Sequence, residues 1–209
     1  MDLLVFTRTT GYRHDSIPAA VTALSRHFTV THSEDPSAVT ACARFDAVAF
    51  VSTTGDVLDP PARSALRAFV ENGGGFAGIH SAAGTELTWD WYGTLLGARF
   101  AGHPAGVQTA TMRVTPGHPS TAHLPPEWTF TDEWYAFTDV RKESLLLVSV
   151  DEATYEPGDF TMPAPHPQAW CRQIENGRSW YTSLGHEEAA WSDPAFLTHV
   201  VDGIRWTRE

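Results

Sequence analysis

The first half of the chain alternates between short apolar runs and amphipathic stretches. "DLLVFTRT" (2–9) is apolar and rich in β-formers, and it predicts a first strand. "GYRHDSIPAAVTALSRHF" follows, with Ile17, Val21, Leu24 and Phe28 at helical spacing. Asp15 or Ser16 is placed to cap that helix, and Pro18 suits its first turn. "FTVTHSE" predicts a second strand. "FDAVAFVST" is a continuous apolar run and predicts a third, buried strand. "DPPARSALRAFVENGGG" reads as a helix, with proline near its start and glycine just past its end. "GFAGIH" is then a fourth strand. Strands alternating with helices predict a parallel sheet covered on both faces.

The pattern changes in the second half. "VQTATMRV", "EWTFTDEWYAF" and "SLLLVSVD" are strand-like and separated by polar turns. "QAWCRQIENGRSWYTSLGH" predicts a hairpin with Asn176-Gly177 at its turn. "DPAFLTHVVDGIRW" closes as a helix capped by Ser192 or Asp193, and "DEATYEPGDFTMPAPHP" reads as a surface loop. The expected fold class is α/β: a doubly wound, mainly parallel sheet with an antiparallel extension in the C-terminal half. No composition shift marks a boundary, so residues 1–209 are expected to form a single domain.

Charge narrows the partners. The formal net charge is −11, and apart from the pair Arg141-Lys142 the basic residues are scattered singly. Neither nucleic acid nor an anionic membrane is expected to bind such a surface. The N-terminus has no basic region and only a short apolar run, so a cytoplasmic protein is expected. Cys42 and Cys171 match no metal pattern and are expected as reduced thiols. Edge strands in the second half leave room for a homodimer.

Candidate chemistry follows the strand ends, because open α/β sheets bind ligands outside the carboxyl ends of their strands. Tyr12, Arg13, His14 and Asp15 follow the first strand, His80 and Ser81 the fourth, and His186, Glu187 and Glu188 the last. Histidine suits acid/base work because its ordinary pKa lies near neutrality. "GIHSA" (78–82) also sits where a nucleophile elbow is expected, but His80 holds the apex and Ser81 stands one residue beyond it. Ser81 activated by a histidine therefore stays open, and so does a Zn²⁺ or Mn²⁺ site built from His14, His80, His186 and a carboxylate. A nicotinamide or nucleotide cofactor is not expected, because GxGxxG and the P-loop are absent. His103 lies in "FAGHP", and His166 and Gln168 in "PHPQAW". In "FTDEWYAF", Asp132 and Trp134 are expected to face one way and Glu133 and Tyr135 the other, one pair toward the cleft. Tryptophans are numerous, and beside a polar cleft they could stack on sugar rings.

The segments "VFTRTTGYRHDSI", "ENGGGFAGIHSAAGT", "GARFAGHP", "DEWYAF" and "WYTSLGHEEAAW", in this order, resemble the ThuA-like, or trehalose-utilisation, family across nearly the whole length. That family is placed in the class I glutamine amidotransferase-like superfamily, which implies a flavodoxin-like fold. The superfamily carries G-x-C-x-G at the elbow and a late His-x-Glu. His80 stands where the nucleophilic cysteine would be, so amidotransferase activity is not expected, while His186-Glu187-Glu188 keeps the second motif. The resemblance implies an enzyme of carbohydrate catabolism acting on a sugar, such as a 3-keto-glycoside, by isomerisation, elimination or hydrolysis. His80 and His186 would move protons and Glu188 would orient His186. Arg13, His14, Ser81, His103, Asp132, Glu133 and Tyr135 would bind substrate. A non-catalytic sugar-binding or regulatory module is the alternative.

Overall fold

The computed structural model describes residues 1–209. Strands β1 (Asp2–Phe6), β2 (Thr29–Ser33), β3 (Ala47–Val51) and β4 (Gly75–Ile79) come from the first half. A short pair, β5 (Arg99–Gly102) and β8 (Ala136–Thr138), forms a sheet of its own. Strands β6 (Gln108–Val114), β7 (Glu127–Asp132), β9 (Leu145–Val150), β10 (His166–Ile174) and β11 (Gly177–Thr182) complete the main sheet. Its order is β2-β1-β3-β4-β11-β10-β9-β6-β7. Pairing is parallel from β2 through β4 to β11 and antiparallel from β11 outward.

Two apolar cores explain the strand sequences. Leu3, Val5, Ala49, Ile79 and Trp180 pack on one face, under helices α1 (Ile17–Leu24) and α5 (Pro194–Trp206). Leu4, Phe6, Phe50, Phe76 and Tyr181 pack on the other. That face is covered by α2 (Pro36–Thr40), α3 (Pro60–Glu71) and α4 (Asp90–Leu96). A strand buried on both faces reads as an unbroken apolar run, and β3 and β4 are buried at every position. In β6, by contrast, Ala110 and Met112 are buried while Thr109 and Arg113 are exposed, the alternation of a sheet wetted on one face.

Several local expectations shift. Ser16 stands at the start of α1 but makes no cap; its hydroxyl donates to Gly185 O at 3.2 Å and ties α1 to the far end of the chain. Asp193, not Ser192, caps α5 by accepting from the N–H groups of Ala195 and Phe196. The hairpin turn is Glu175-Asn176, because Ile174 pairs with Gly177; Glu175 takes the left-handed conformation at φ 51°. "EWTFTDEWYAF" is not one strand: β7 ends at Asp132, and β8 begins at Ala136 in a different sheet. Short elements such as α2, α4, β5 and β8 leave no clear signal in the sequence, since a few residues carry too little periodicity. No helix is long and apolar enough to cross a membrane.

Candidate functional site

The turn after β4 is an elbow. His80 has φ 54°, in the left-handed region that side chains with a Cβ rarely adopt, and it is fully buried. Its backbone is held on two sides: Tyr181 Oη donates to His80 O at 2.8 Å, and Ser52 N donates to Ile79 O at 3.1 Å. Gly78 is required for close packing, since a Cβ there would lie 2.6 Å from Leu96 Cδ1 and 3.1 Å from Tyr181 Cδ2. Buried strain of this kind marks functional turns.

His80 projects from that elbow into a knot of polar groups. Its Nδ1 lies 2.6 Å from Ser183 O. A carbonyl only accepts, so Nδ1 carries the hydrogen and Nε2 presents a lone pair when the ring is neutral. Around that Nε2 stand the Tyr135 hydroxyl at 2.9 Å, His14 Nε2 at 3.0 Å, His186 Nδ1 at 3.3 Å and Glu133 Oε2 at 3.6 Å. Glu133 Oε2 is also 3.1 Å from His186 Nδ1. One donor atom from each of His14, His80, Glu133 and His186 lies within 4.8 Å of every other.

Electrostatics matches this crowding. Burial, then the charge of His186, pushes His14 down to about 4. Burial drives His80 well below the ordinary histidine range, with His14 adding to it. His186 is raised, first by its hydrogen bond to Glu133. For Glu133 burial is the largest influence and acts upward, but His186 and the other histidines outweigh it and leave the carboxyl lowered. The result is two neutral imidazoles, one carboxylate and a third imidazole facing a common point.

The donor set fits a divalent transition metal. Ligands at about 2.0–2.2 Å from a tetrahedral centre stand about 3.3–3.5 Å apart, close to the spacings around His80 Nε2. Three imidazoles and one carboxylate suit Zn²⁺ or Mn²⁺ better than Ca²⁺ or Mg²⁺. The hydrogen bond of His80 Nδ1 to Ser183 O is an outer contact of the kind that would orient an imidazole toward a metal. Ser183 is itself bonded to Gln168, whose amide donates to Tyr135 O at 3.0 Å.

His14, Glu133 and His186 line a cavity of about 570 Å³, with His80 fully buried behind its wall. Its walls include His14, Ser81, His103, Glu133, Tyr135 and His186, with Tyr12, Leu87 and Phe100 also lining it. Tyr12 is 67% exposed and Leu87 47%. His103 Nδ1 donates to Pro104 O at 2.8 Å, which leaves Nε2 as its basic nitrogen, and its ring stacks on Tyr135. Ser81 Oγ sits 3.4 Å from His14 Nδ1, on the buried side.

Three positions differ from expectation. Glu188 is exposed in the short 3-10 turn Glu188–Ser192 and reaches no histidine; Glu133 occupies the place beside His186 instead. Arg13 turns outward to pair with Glu34 at 2.7 Å. Asp132 does not line the cavity. It lies fully buried beneath it, accepting from Gly185 N at 2.7 Å, Glu133 N at 2.8 Å and His186 N at 3.2 Å. Burial pushes it up to about 7, with those three N–H groups pulling the other way.

One structural residue escapes sequence reasoning entirely. Glu86, buried at φ 50°, accepts from Val57 N and Leu58 N at 2.7 Å each and pairs with Arg63 at 2.5 Å. It braces the loops that carry Gly55 and Gly84 into the cavity wall. Its only sequence signal is an acid in an otherwise apolar and small-residue stretch.

Comparison with known proteins agrees with this fold. A ThuA-like protein of Bacteroides uniformis superposes with a TM-score of 0.83 at 21% identity, over 99% of this chain and 91% of that one. One from Parabacteroides merdae gives 0.80 at 16% identity, over 100% and 90%. A protein of Salmonella typhimurium described as cytoplasmic gives 0.72 at 11% identity, over 100% of both chains. These likenesses show the fold, a flavodoxin-like one whose central sheet is parallel through β2-β1-β3-β4-β11 and antiparallel beyond, so the antiparallel extension is as large as the parallel part rather than minor. None of the curated proteins matches the chain. The sequence model of the family described as "Trehalose utilisation" matches residues 2–207, and the chain belongs to that ThuA family.

Proposed function

We propose that this protein is a divalent-metal-dependent enzyme of carbohydrate metabolism that moves protons beside a carbonyl of a keto-sugar or keto-glycoside. One observation carries the reading: His14, His80, His186 and Glu133 present four ligand atoms to one point at the wall of a cavity large enough for a disaccharide. A metal held there supplies Lewis acidity toward an oxygen of the substrate.

The chain's other residues supply the rest. Tyr135 keeps its proton, because burial raises its pKa well above the ordinary tyrosine range, so its hydroxyl serves as a hydrogen-bond donor at the reacting oxygen. His103 offers a basic Nε2 on the cavity wall and takes the proton from the carbon next to the carbonyl. Returning that proton to the former carbonyl carbon, while the adjacent hydroxyl gives up its proton and the old carbonyl oxygen gains one, gives isomerisation. Expelling the glycosidic oxygen instead, with the proton taken up by His103 passed to it as it leaves, gives elimination. The cavity wall carries no Arg or Lys, which favours an uncharged sugar over a sugar phosphate. Tyr12 and Leu87 at the mouth suit the apolar face of a second ring or aglycone.

The test combines metal analysis with turnover. Purified protein is expected to hold about one Zn²⁺ or Mn²⁺ per chain and to exchange deuterium from D₂O into a 3-keto-disaccharide, followed by NMR. His80→Ala should lose both the metal and the exchange. Unchanged turnover in His80→Ala, or in protein stripped by a chelator, would defeat the metal mechanism. Saturable sugar binding with no exchange would favour a binding module instead.

A further inference from the structure

A second cavity of about 570 Å³ lies behind Tyr135, between the segment after β8 and the loop before β10. Its inner wall is apolar: Phe137, Leu146, Met162 and Trp170, with Pro165 and Pro167. The Trp170 ring is fixed, since Nε1 donates to Leu96 O at 2.7 Å and Phe137 packs edge-on at 5.1 Å. Its rim carries Arg141 and Lys142, both exposed, and Lys142 is the chain's only lysine. In a chain of net charge −11, this is a local reversal of sign.

Unmet hydrogen-bonding groups gather at the same place. Ser144 Oγ, on the cavity wall, is buried with no partner, and so are Nε and Nη1 of Arg172. The two side chains meet at Gly97, where a Cβ would lie 3.0 Å from Ser144 Oγ and 3.2 Å from Arg172 Cδ. Buried polar atoms are normally satisfied, so the unpartnered hydroxyl of Ser144 in the wall, beside the two cations of the rim, points to an acceptor brought into the cavity. Asp139 lines the cavity and Glu143 stands near Arg172, yet none of Arg141, Lys142 and Arg172 forms an ion pair with either.

We propose that this second cavity binds an amphipathic anion. Its flat or short apolar body lies on Phe137, Leu146 and Trp170, and its carboxylate or phosphate group meets Ser144, Arg141 and Lys142. Planar guanidinium groups pair well with either anion. The site is separate from the histidine cluster, sharing no wall residue with that cavity.

Calorimetric titration in a chelator, which keeps metal out of the histidine cluster, tests this with four probes: benzoate, phenyl phosphate, benzyl alcohol and inorganic phosphate. Benzoate or phenyl phosphate should bind at one site, about tenfold or more tighter than either benzyl alcohol or inorganic phosphate. The tighter of the two identifies the anionic group. R141Q/K142Q, which alters only exposed side chains, should weaken binding about tenfold, and His14→Ala should leave it unchanged. Inorganic phosphate binding as tightly as the aryl anions would reduce the site to a surface charge patch. Benzyl alcohol doing so would reduce it to an apolar groove. Binding lost in His14→Ala but kept in R141Q/K142Q, or no heat with any probe, would also overturn the proposal.

Discussion

The parallel and antiparallel halves of the sheet contribute to the site in opposite ways. In the parallel half, strands buried on both faces end together, and the chain drops a histidine beyond β1, β4 and β11: His14, His80 and His186. In the antiparallel half, β7 is the edge strand, four places from β11, and reaches the cluster only through the link 133–135 that turns back toward it. Glu133 and Tyr135 arrive by that reach, and Asp132 fastens the link by holding Gly185 and His186 through their N–H groups. The imidazoles depend on packing, and the carboxylate and hydroxyl depend on a buried hydrogen-bonded joint.

That contrast can be broken at graded points. The largest effect is expected in the parallel half, at Glu86. Glu86→Ala leaves Arg63 and two buried N–H groups without their carboxylate, and should cost about 3–5 kcal/mol in chemical denaturation. A loss near zero would mean that packing alone holds those loops.

Acid should strain the region where the halves share α5. His199 on α5 packs against Trp128 of β7 and Trp180 of β11 and donates from Nδ1 to Ser120 O at 2.8 Å. Burial pushes it down to about 4 from an ordinary 6.5. Above pH 6.5 it is neutral in both states and contributes no slope. As pH falls from 6.5 to 4 the unfolded chain takes up a proton that the folded one refuses, so stability drops, by on the order of 3 kcal/mol. Burial holds His118, beside Ser120, at about 4 as well, so it adds in the same direction. His199→Leu should flatten that slope in melts across pH; an undiminished slope would place the titration elsewhere.

Asp132→Asn tests the joint itself. An amide in place of the carboxylate sets a donor against at least one of three buried N–H groups, for a loss of about 1–3 kcal/mol. Metal affinity should fall about 10–100-fold, read by competition with a chromogenic chelator, because Glu133 and His186 lose a common anchor. Full metal affinity in this variant would show that the histidines alone set the site.

Tyr12→Ala should do least. The side chain is 67% exposed, so stability should change by less than about 0.5 kcal/mol. Affinity for a two-ring glycoside should weaken about three- to tenfold, with metal binding unaffected. Equal weakening for a one-ring glycoside would remove Tyr12 from any second-ring contact.

Sequence carries the parallel half well. Continuous apolar runs such as "AVAFV" and "GFAGI" announce strands buried on both faces, and a histidine after a strand end is visible without coordinates. The partner of His186 is not visible. Local spacing favours Glu188, two residues on, whereas the carboxylate comes from Glu133, fifty-three residues earlier, by way of the far edge of the sheet. The alternation of "DEWY" does separate Asp132 and Trp134 from Glu133 and Tyr135, because side-chain direction is local even where sheet membership is not. The order in which antiparallel strands assemble leaves no mark in the hydrophobic pattern, and the joint at Asp132 depends on that order.

The left-handed turn at residue 80 separates backbone from chemistry. Tyr181 and Ser52 grip main-chain atoms there, and Gly78 makes room, so the bend does not depend on an imidazole. The elbow is thus an interchangeable mount: whatever side chain stands at its apex is delivered to the same buried point. Such a mount lets the residue at its apex change while the sheet that aims it stays as it is.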